Sequence, residues 1–186
     1  MTLTPWGDTD ELRVRKLSPG PGASREAVAR SQRDRLFAAL VSAVAEDGYQ
    51  ETSVADVLGR AGVSRRAFYE HFANLEECFL AALDEIVEQT FAAVGAAYGR
   101  EAPWEEQLRA ALATFLDLVA AQPTAARAVF VEVYAAGPAA AQRGALAARR
   151  FEELVADAFE RSPERAGMPI EVIRAIVGGV RKLVHS

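Results

Sequence analysis

At 186 residues the chain is long enough to bury a sizeable core, as one large domain or two small ones. Its 51% hydrophobic and 25% charged residues are the balance of a soluble globular protein, and a net charge of −5 argues against the global basic field that many nucleic-acid-binding domains carry. No apolar run approaches the roughly 18 residues of a membrane span, the opening Met1-Thr-Leu-Thr-Pro-Trp lacks the basic-then-apolar order of a secretory signal, and the lone Cys78 excludes an internal disulfide or a multi-cysteine metal site. A cytoplasmic protein is expected, with a packed thiol, no metal, no cofactor and no membrane association.

Residues 1–23 hold Pro5, Gly7, Pro19, Gly20, Pro21 and Gly22 without sustained periodicity, so they read as a flexible basic arm. A first helix is capped by Ser24 and carries Val28, Leu36, Phe37, Leu40, Val41 and Val44 as its apolar stripe, stopping near Asp47 because Gly48 supplies the turn. Thr52 or Ser53 caps a second helix to about Ala61, with Asp56 placed as in a capping box. Gly62 breaks that helix, and Ser64 caps a third from Arg65 to Phe72. Long-period helices then follow. The fourth is marked by Leu75, Phe79, Leu80, Leu83, Ile86, Val87 and Phe91; the fifth runs from Pro103 to Pro123; the sixth holds Val129, Phe130, Val133 and Tyr134 and stops at Gly137-Pro138. A seventh covers about 139–161 and an eighth runs from Pro169 to the end. Period-two alternation is lacking, so no sheet is expected. The fold class is all-α, with an amino-terminal three-helix unit over residues 24–74 and a larger helical bundle over 75–186.

The most specific chemistry lies between Gly48 and Phe72. Val54, Val57, Leu58 and Ala61 share one face of the second helix, and Phe68 and Phe72 share the inward face of the third. Gly62 permits the tight turn of a helix-turn-helix. Arg65 and Arg66 then stand in the first turn of the third helix, the part of a recognition helix that meets base edges, and the planar guanidinium fork matches guanine O6 and N7. Ser64, Ala67, Tyr69 and His71 complete the expected DNA-facing set, with Tyr69 and His71 as donors to phosphate. Thr52 and Ser53, at the amino end of the second helix, form a second anion site. Charge supports this placement: residues 11–35 carry seven basic side chains against three acidic ones, and Arg60, Arg65 and Arg66 follow. The plainer alternative is that two short helices and a glycine turn belong to an ordinary all-α core, with the arginine pair on a solvated corner.

Gly48-Tyr49, Thr52-Ser53-Val54, Asp56-Val57, Ala61-Gly62-Val63-Ser64 and Phe68-Tyr69-Glu70-His71-Phe72 resemble the signature of the tetracycline-repressor (TetR) family of transcriptional regulators. Arg33, Leu36 and Ala38-Ala39 fit the preceding helix of that family, and the likeness covers about residues 30 to 83. It implies a homodimeric helix-turn-helix repressor, released from a palindromic operator by a small molecule held in the carboxy-terminal domain. Two departures stand out. Leu75 occupies the place where the family commonly has a phosphate-binding lysine, and Glu70 puts a carboxylate on the DNA-facing side. The arm ahead of Ser24 is a candidate to compensate for Leu75 by reaching an adjacent groove; a plain disordered tail is the other reading.

The resemblance also implies a ligand pocket enclosed by the fifth to seventh helices beneath the fourth. Its candidate walls are Phe115, Val119, Phe130, Tyr134, Phe151 and Val155, which points to a largely apolar effector; all six serve equally well as plain core. In the last helix Ile170, Ile173, Ile176, Val177, Val180, Leu183 and Val184 are more apolar positions than a one-sided helix needs, and Gly178-Gly179 invites a close neighbour. Half of a dimer interface is expected there, or else a doubly buried helix within one subunit. Family members carry one more helix at this point, so a ninth is expected to be missing from the chain. Two other function classes stay open: an all-α small-molecule-binding protein or enzyme with an incidental helix-turn-helix, and a constitutive DNA-binding regulator without effector. Against an enzyme, the two histidines are His71 and His185, and no Ser-His-acid set, HExxH or phosphate-cradling glycine loop is present.

Overall fold

A computed structural model describes residues 3–17, 24–99 and 101–185. The fold is all-α apart from one small hairpin, in which β1 (Leu3–Thr4) pairs antiparallel with β2 (Gly7–Asp8). The helices are α1 (Thr9–Val14), α2 (Arg25–Asp47), α3 (Val54–Ala61), α4 (Arg65–His71), α5 (Leu75–Tyr98), α6 (Trp104–Ala121), α7 (Pro123–Arg127), α8 (Val133–Ala135), α9 (Pro138–Glu160) and α10 (Ile170–His185). A π-helical segment, Ala128–Glu132, joins α7 to α8.

The expected flexible arm is replaced, over residues 3–14, by the hairpin and α1. Asp8 caps α1 by accepting from the backbone N–H groups of Asp10 and Glu11 at 3.0 and 3.1 Å. Trp6 lays its ring 5.2 Å from that of Phe37, and the Thr9 and Ser42 hydroxyls meet at 3.0 Å. Burying one indole supplies enough apolar area to hold a short segment that has little intrinsic order. The Asp8 cap, followed three residues later by Glu11, was a readable start signal. Pro19 to Gly22 lie outside the described residues.

α2 is the hub. Ser24 caps it by accepting from the Ala27 N–H, and Gly48, at φ 87°, ends it. From Leu36 to Val44 every residue is buried, so the expected one-sided stripe is instead a helix surrounded by α1, α3, α4, α5 and α7. Nine uncharged residues in a row make that possible. Its core continues past residue 74: Cys78, Phe79, Ala82, Leu83 and Ile86 of α5, with Ala125, Ala128 and Val133, pack in the same cluster as Phe37 and Phe68. The amino-terminal unit and the near end of the bundle therefore share one core across the expected boundary.

Candidate nucleic-acid interface and effector cavity

The local order of the helix-turn-helix follows from its caps. Ser53 closes a capping box on α3, its Oγ accepting from the Asp56 N–H at 3.3 Å while the Asp56 carboxylate accepts from the Ser53 N–H at 2.9 Å. The Ser53 hydroxyl, donating to the Asp56 carboxylate at 2.5 Å, and then the Ser53 N–H hold that carboxyl below its ordinary range. α3 ends at Gly62 in the left-handed region (φ 60°, ψ 37°), a conformation that costs glycine nothing. Ser64 then caps α4 by accepting from the Ala67 N–H at 3.2 Å.

Arg35 locks this turn. Its side chain is buried, and its Nη1 donates to the Ala61 and Gly62 carbonyls at 2.9 and 3.1 Å, with Nε donating to Ser31 O at 3.2 Å. Counted in the basic cluster of the sequence, it is a structural strut. Its position seven residues after buried Val28 was the signal that it faces inward. Arg60 is also engaged, with Glu46 and Asp47 at 2.6 and 3.2 Å.

The expected DNA-facing residues divide. Ser64, Arg65, Arg66 and Tyr69 are exposed on α4, and Ala67 is half-buried beside them. The Arg66 side chain is 90% exposed and its Nε donates to Glu70 Oε1 at 3.0 Å, an i, i+4 pair that makes Glu70 the partner of Arg66 and not an isolated carboxylate. Phe68, fully buried against Phe72 and edge-on to Tyr69, fixes which way this face points. Thr52 does not join: it is buried, and its hydroxyl donates to Gly48 O at 2.8 Å. Ser53 is exposed, but the Asp56 carboxylate shares the amino end of α3 and repels an incoming phosphate. His71 turns toward α2, its Nε2 3.1 Å from Gln32 Oε1. Burial and the nearby Arg33 push its pKa down, so the ring is neutral at pH 7. Leu75 packs against the shared core, as an apolar residue should where the family's phosphate-binding lysine is absent.

Above this unit lies an apolar cavity of about 200 Å³, walled by α5, α6, α9, α10 and the π-helical segment. Phe115, Val119, Phe130, Phe151 and Val155 all line it, together with Val94, Leu118 and Val180. Tyr134 does not. Its ring is 59% exposed outside the wall, and its hydroxyl accepts from Arg181 Nη2 at 2.8 Å. Phe130 belongs to the π-helical segment Ala128–Glu132, and Tyr134 to the short α8 that follows it. Sequence reading also missed Glu132 at the end of the same segment. It is buried, accepts from the Tyr49 N–H at 3.0 Å and meets Arg127 at 3.2 Å, while Gln50 Nε2 donates to Ala135 O at 2.6 Å. One five-residue segment thus lines the cavity with Val129 and Phe130 and holds the α2–α3 turn with Glu132.

On α10, Ile173 and Val177 are buried, whereas Val172 and Ile176 are 40% and 41% exposed. Gly178 and Gly179 face open space. The side chains of Leu183 and Val184 lie outside those described. Among the described residues no three His, Cys, Asp or Glu side chains gather as a metal site, and no helix is long and apolar enough to cross a membrane.

Residues 36–82 match the family model for bacterial regulatory proteins, tetR family. The chain is 27% identical over 118 residues to the HTH-type transcriptional activator FasR of Mycolicibacterium smegmatis, covering 63% of this chain and 54% of that protein. It is 32% identical over 87 residues to the HTH-type transcriptional regulator TcmR of Streptomyces glaucescens, covering 47% and 38%. The chain therefore spans about half the length, or less, of these curated relatives. In fold it is similar to the transcriptional regulator FadR from Bacillus subtilis in complex with stearoyl-CoA, with a TM-score of 0.71 at 18% identity over 80% of this chain and 83% of that one. With a capped helix-turn-helix, exposed arginines on its second helix and a family-model match over residues 36–82, this part of the chain is similar to the tetR family of bacterial regulatory proteins.

Proposed function

We propose that the chain is a transcriptional regulator that binds operator DNA through α4 as a homodimer and responds to a small, largely apolar effector in the bundle cavity. The observation that carries this reading is the exposed Arg65-Arg66 pair on the first turn of a helix held rigid by Ser64, Gly62 and buried Arg35. Arg65 and Arg66 read base edges; Ser64 and Tyr69 anchor phosphates, and Ala67 leaves room for close approach. The protein works in the cytoplasm, where the operator is. α10 forms the dimer contact with Val172, Ile176 and the open Gly178-Gly179 pair, since two copies are needed to match a palindrome.

The cavity favours an effector-responsive regulator over a constitutive one. An enclosed apolar space of 150 Å³ is known to hold a molecule the size of benzene, so about 200 Å³ takes a medium alkyl chain or a ring with a short substituent. FadR's complex with stearoyl-CoA supports acyl compounds as the first class to try. Occupancy would push on Val129 and Phe130 and, through the rigid π-helical segment, on the Glu132 contact that holds the α2–α3 turn. As a repressor it blocks its own promoter.

The test is a mobility-shift assay on DNA upstream of its own gene, with and without an acyl compound. Wild type should shift the fragment, and Arg66→Ala should weaken the shift by about ten- to a hundredfold. Equal binding by Arg66→Ala would remove the base-reading assignment, and no shift by wild type would remove the operator reading for that site.

A further inference from the structure

We infer that the effector is an amphipathic anion, whose apolar tail fills the cavity while its charged head is met by Arg181. This deepens the effector reading and rests on it. Among the described residues lining the cavity, Thr90 and Gln122 are neutral and Arg181 is the one charged side chain. Thr90 is already turned to its own helix, its Oγ1 donating to Ile86 O at 2.8 Å. Arg181, from the last turns of α10, is half-buried at the rim.

Five other arginines of the bundle are paired with carboxylates, and Arg165 lies over the Trp104 and Phe159 rings; Arg181 differs in lining the cavity. Arg127 meets Glu132, Arg143 meets Asp84, Arg150 meets Glu88, Arg161 meets Asp157 and Arg174 meets Glu152. Arg181 meets a neutral phenol: its Nη2 donates to Tyr134 Oη at 2.8 Å, and among the described residues no carboxylate lies within ion-pair distance of it. A guanidinium carries five N–H donors, so one bond to a phenol leaves most of them free. The phenol holds the planar fork in place without cancelling its charge. A cation so placed beside an apolar cavity is poorly solvated on one side and gains most from an anion that enters with the tail. Pockets of this kind take their affinity from the apolar wall and their selectivity from the few polar groups at its edge. Arg181 is thus a specificity-determining residue and Tyr134 its positioning partner, which gives the tyrosine that lies outside the cavity wall a part in recognition.

Calorimetric titration of the full chain with octanoate, octyl phosphate and octanol tests this, using wild type, Arg181→Gln, Arg181→Lys and Tyr134→Phe. Arg181→Gln should weaken both anions by about tenfold or more and leave octanol within about twofold. Arg181→Lys should recover part of the anion affinity, and its binding should fall with added salt. Octanoate and octyl phosphate weakened together identify the charge as what is read; one weakened alone identifies that head group. Tyr134→Phe should weaken the anions by only a few fold, since it frees the fork without removing it. Equal loss for octanol and the anions in Arg181→Gln, or no loss for any of them, would overturn the inference. Octanol binding to wild type without either anion would also overturn it and leave the cavity reading standing. If none of the three binds, the effector reading itself fails and carries this inference with it.

Discussion

The two cores of this molecule are packed to different standards. Around α2, a single cluster joins Leu36, Phe37, Leu40, Phe68, Cys78 and Phe79 at 0–1% exposure. Around the cavity, the buried residues of the second cluster are Val94, Ala111 and Phe115, at 2%, 2% and 8% exposure, and the aromatic rings of Phe130 and Phe151 complete it only in part. On the function proposed above, a closed first core would hold α4 at one angle and present Arg65 and Arg66 to DNA without reorganisation. On the same reading, the unfilled apolar surface of the second would serve an effector and a partner subunit. Leu112, Leu116 and Ile176, each above 40% exposed, belong to that unfinished half. A regulator needs both: a stiff reader, and a part whose packing something else can complete.

The sharpest test of the contrast sets two like substitutions side by side. Phe68→Ala should cost about 3–5 kcal/mol and abolish operator binding, whereas Phe115→Ala, with empty space on one side already, should cost less than half as much in urea unfolding. Equal costs would show the second core to be as closed as the first. Arg35→Met comes next. It leaves the Ala61 and Gly62 carbonyls without their donor, for a loss of about 2–4 kcal/mol and faster amide exchange across the turn. An unchanged exchange rate there would mean that the turn holds itself.

Glu132→Gln probes the joint between the halves. Losing the charge at Tyr49 N–H and Arg127 should cost about 1–2 kcal/mol, discounted because Arg127 is half exposed. Its diagnostic readout is effector-induced release of DNA, which should weaken while operator binding without effector persists. The smallest effect at neutral pH belongs to Cys78. Burial pushes its thiol up to about 12 from 9.0, so it stays protonated in the native state and should resist alkylation at pH 8 until the closed core opens. Because the native pKa is the higher one, this thiol's contribution to stability is intact below pH 9 and is lost as the pH climbs from 9 toward 12. Rapid native-state alkylation would contradict the closed core. His71 works at the other end. Its lowered native pKa means that acidification below 6.5 protonates the unfolded chain first and erodes stability.

Much was legible in the sequence because it rests on short-range rules. Ser24, Ser53 and Ser64 as caps, Gly48 and Gly62 as stops, and Phe68 with Phe72 as an inward face depend on neighbours a few residues away. The same local logic placed Arg65 and Arg66 on the outside, while it was the family resemblance that offered Phe115, Val119, Phe130, Phe151 and Val155 as wall candidates, which the structure gathers around one cavity. Long-range placement decided the rest. Arg35 looks like a surface group until α3 is found beside it. α1 holds because Trp6 finds Phe37, more than thirty residues away. Tyr134 stands outside the cavity wall with Arg181 of the last helix as its partner, and buried Glu132 meets the Tyr49 N–H across more than eighty residues. Periodicity tells which residues share a face. Only the packed chain tells what that face meets, because burial and charge pairing depend on groups brought together from distant parts of the sequence.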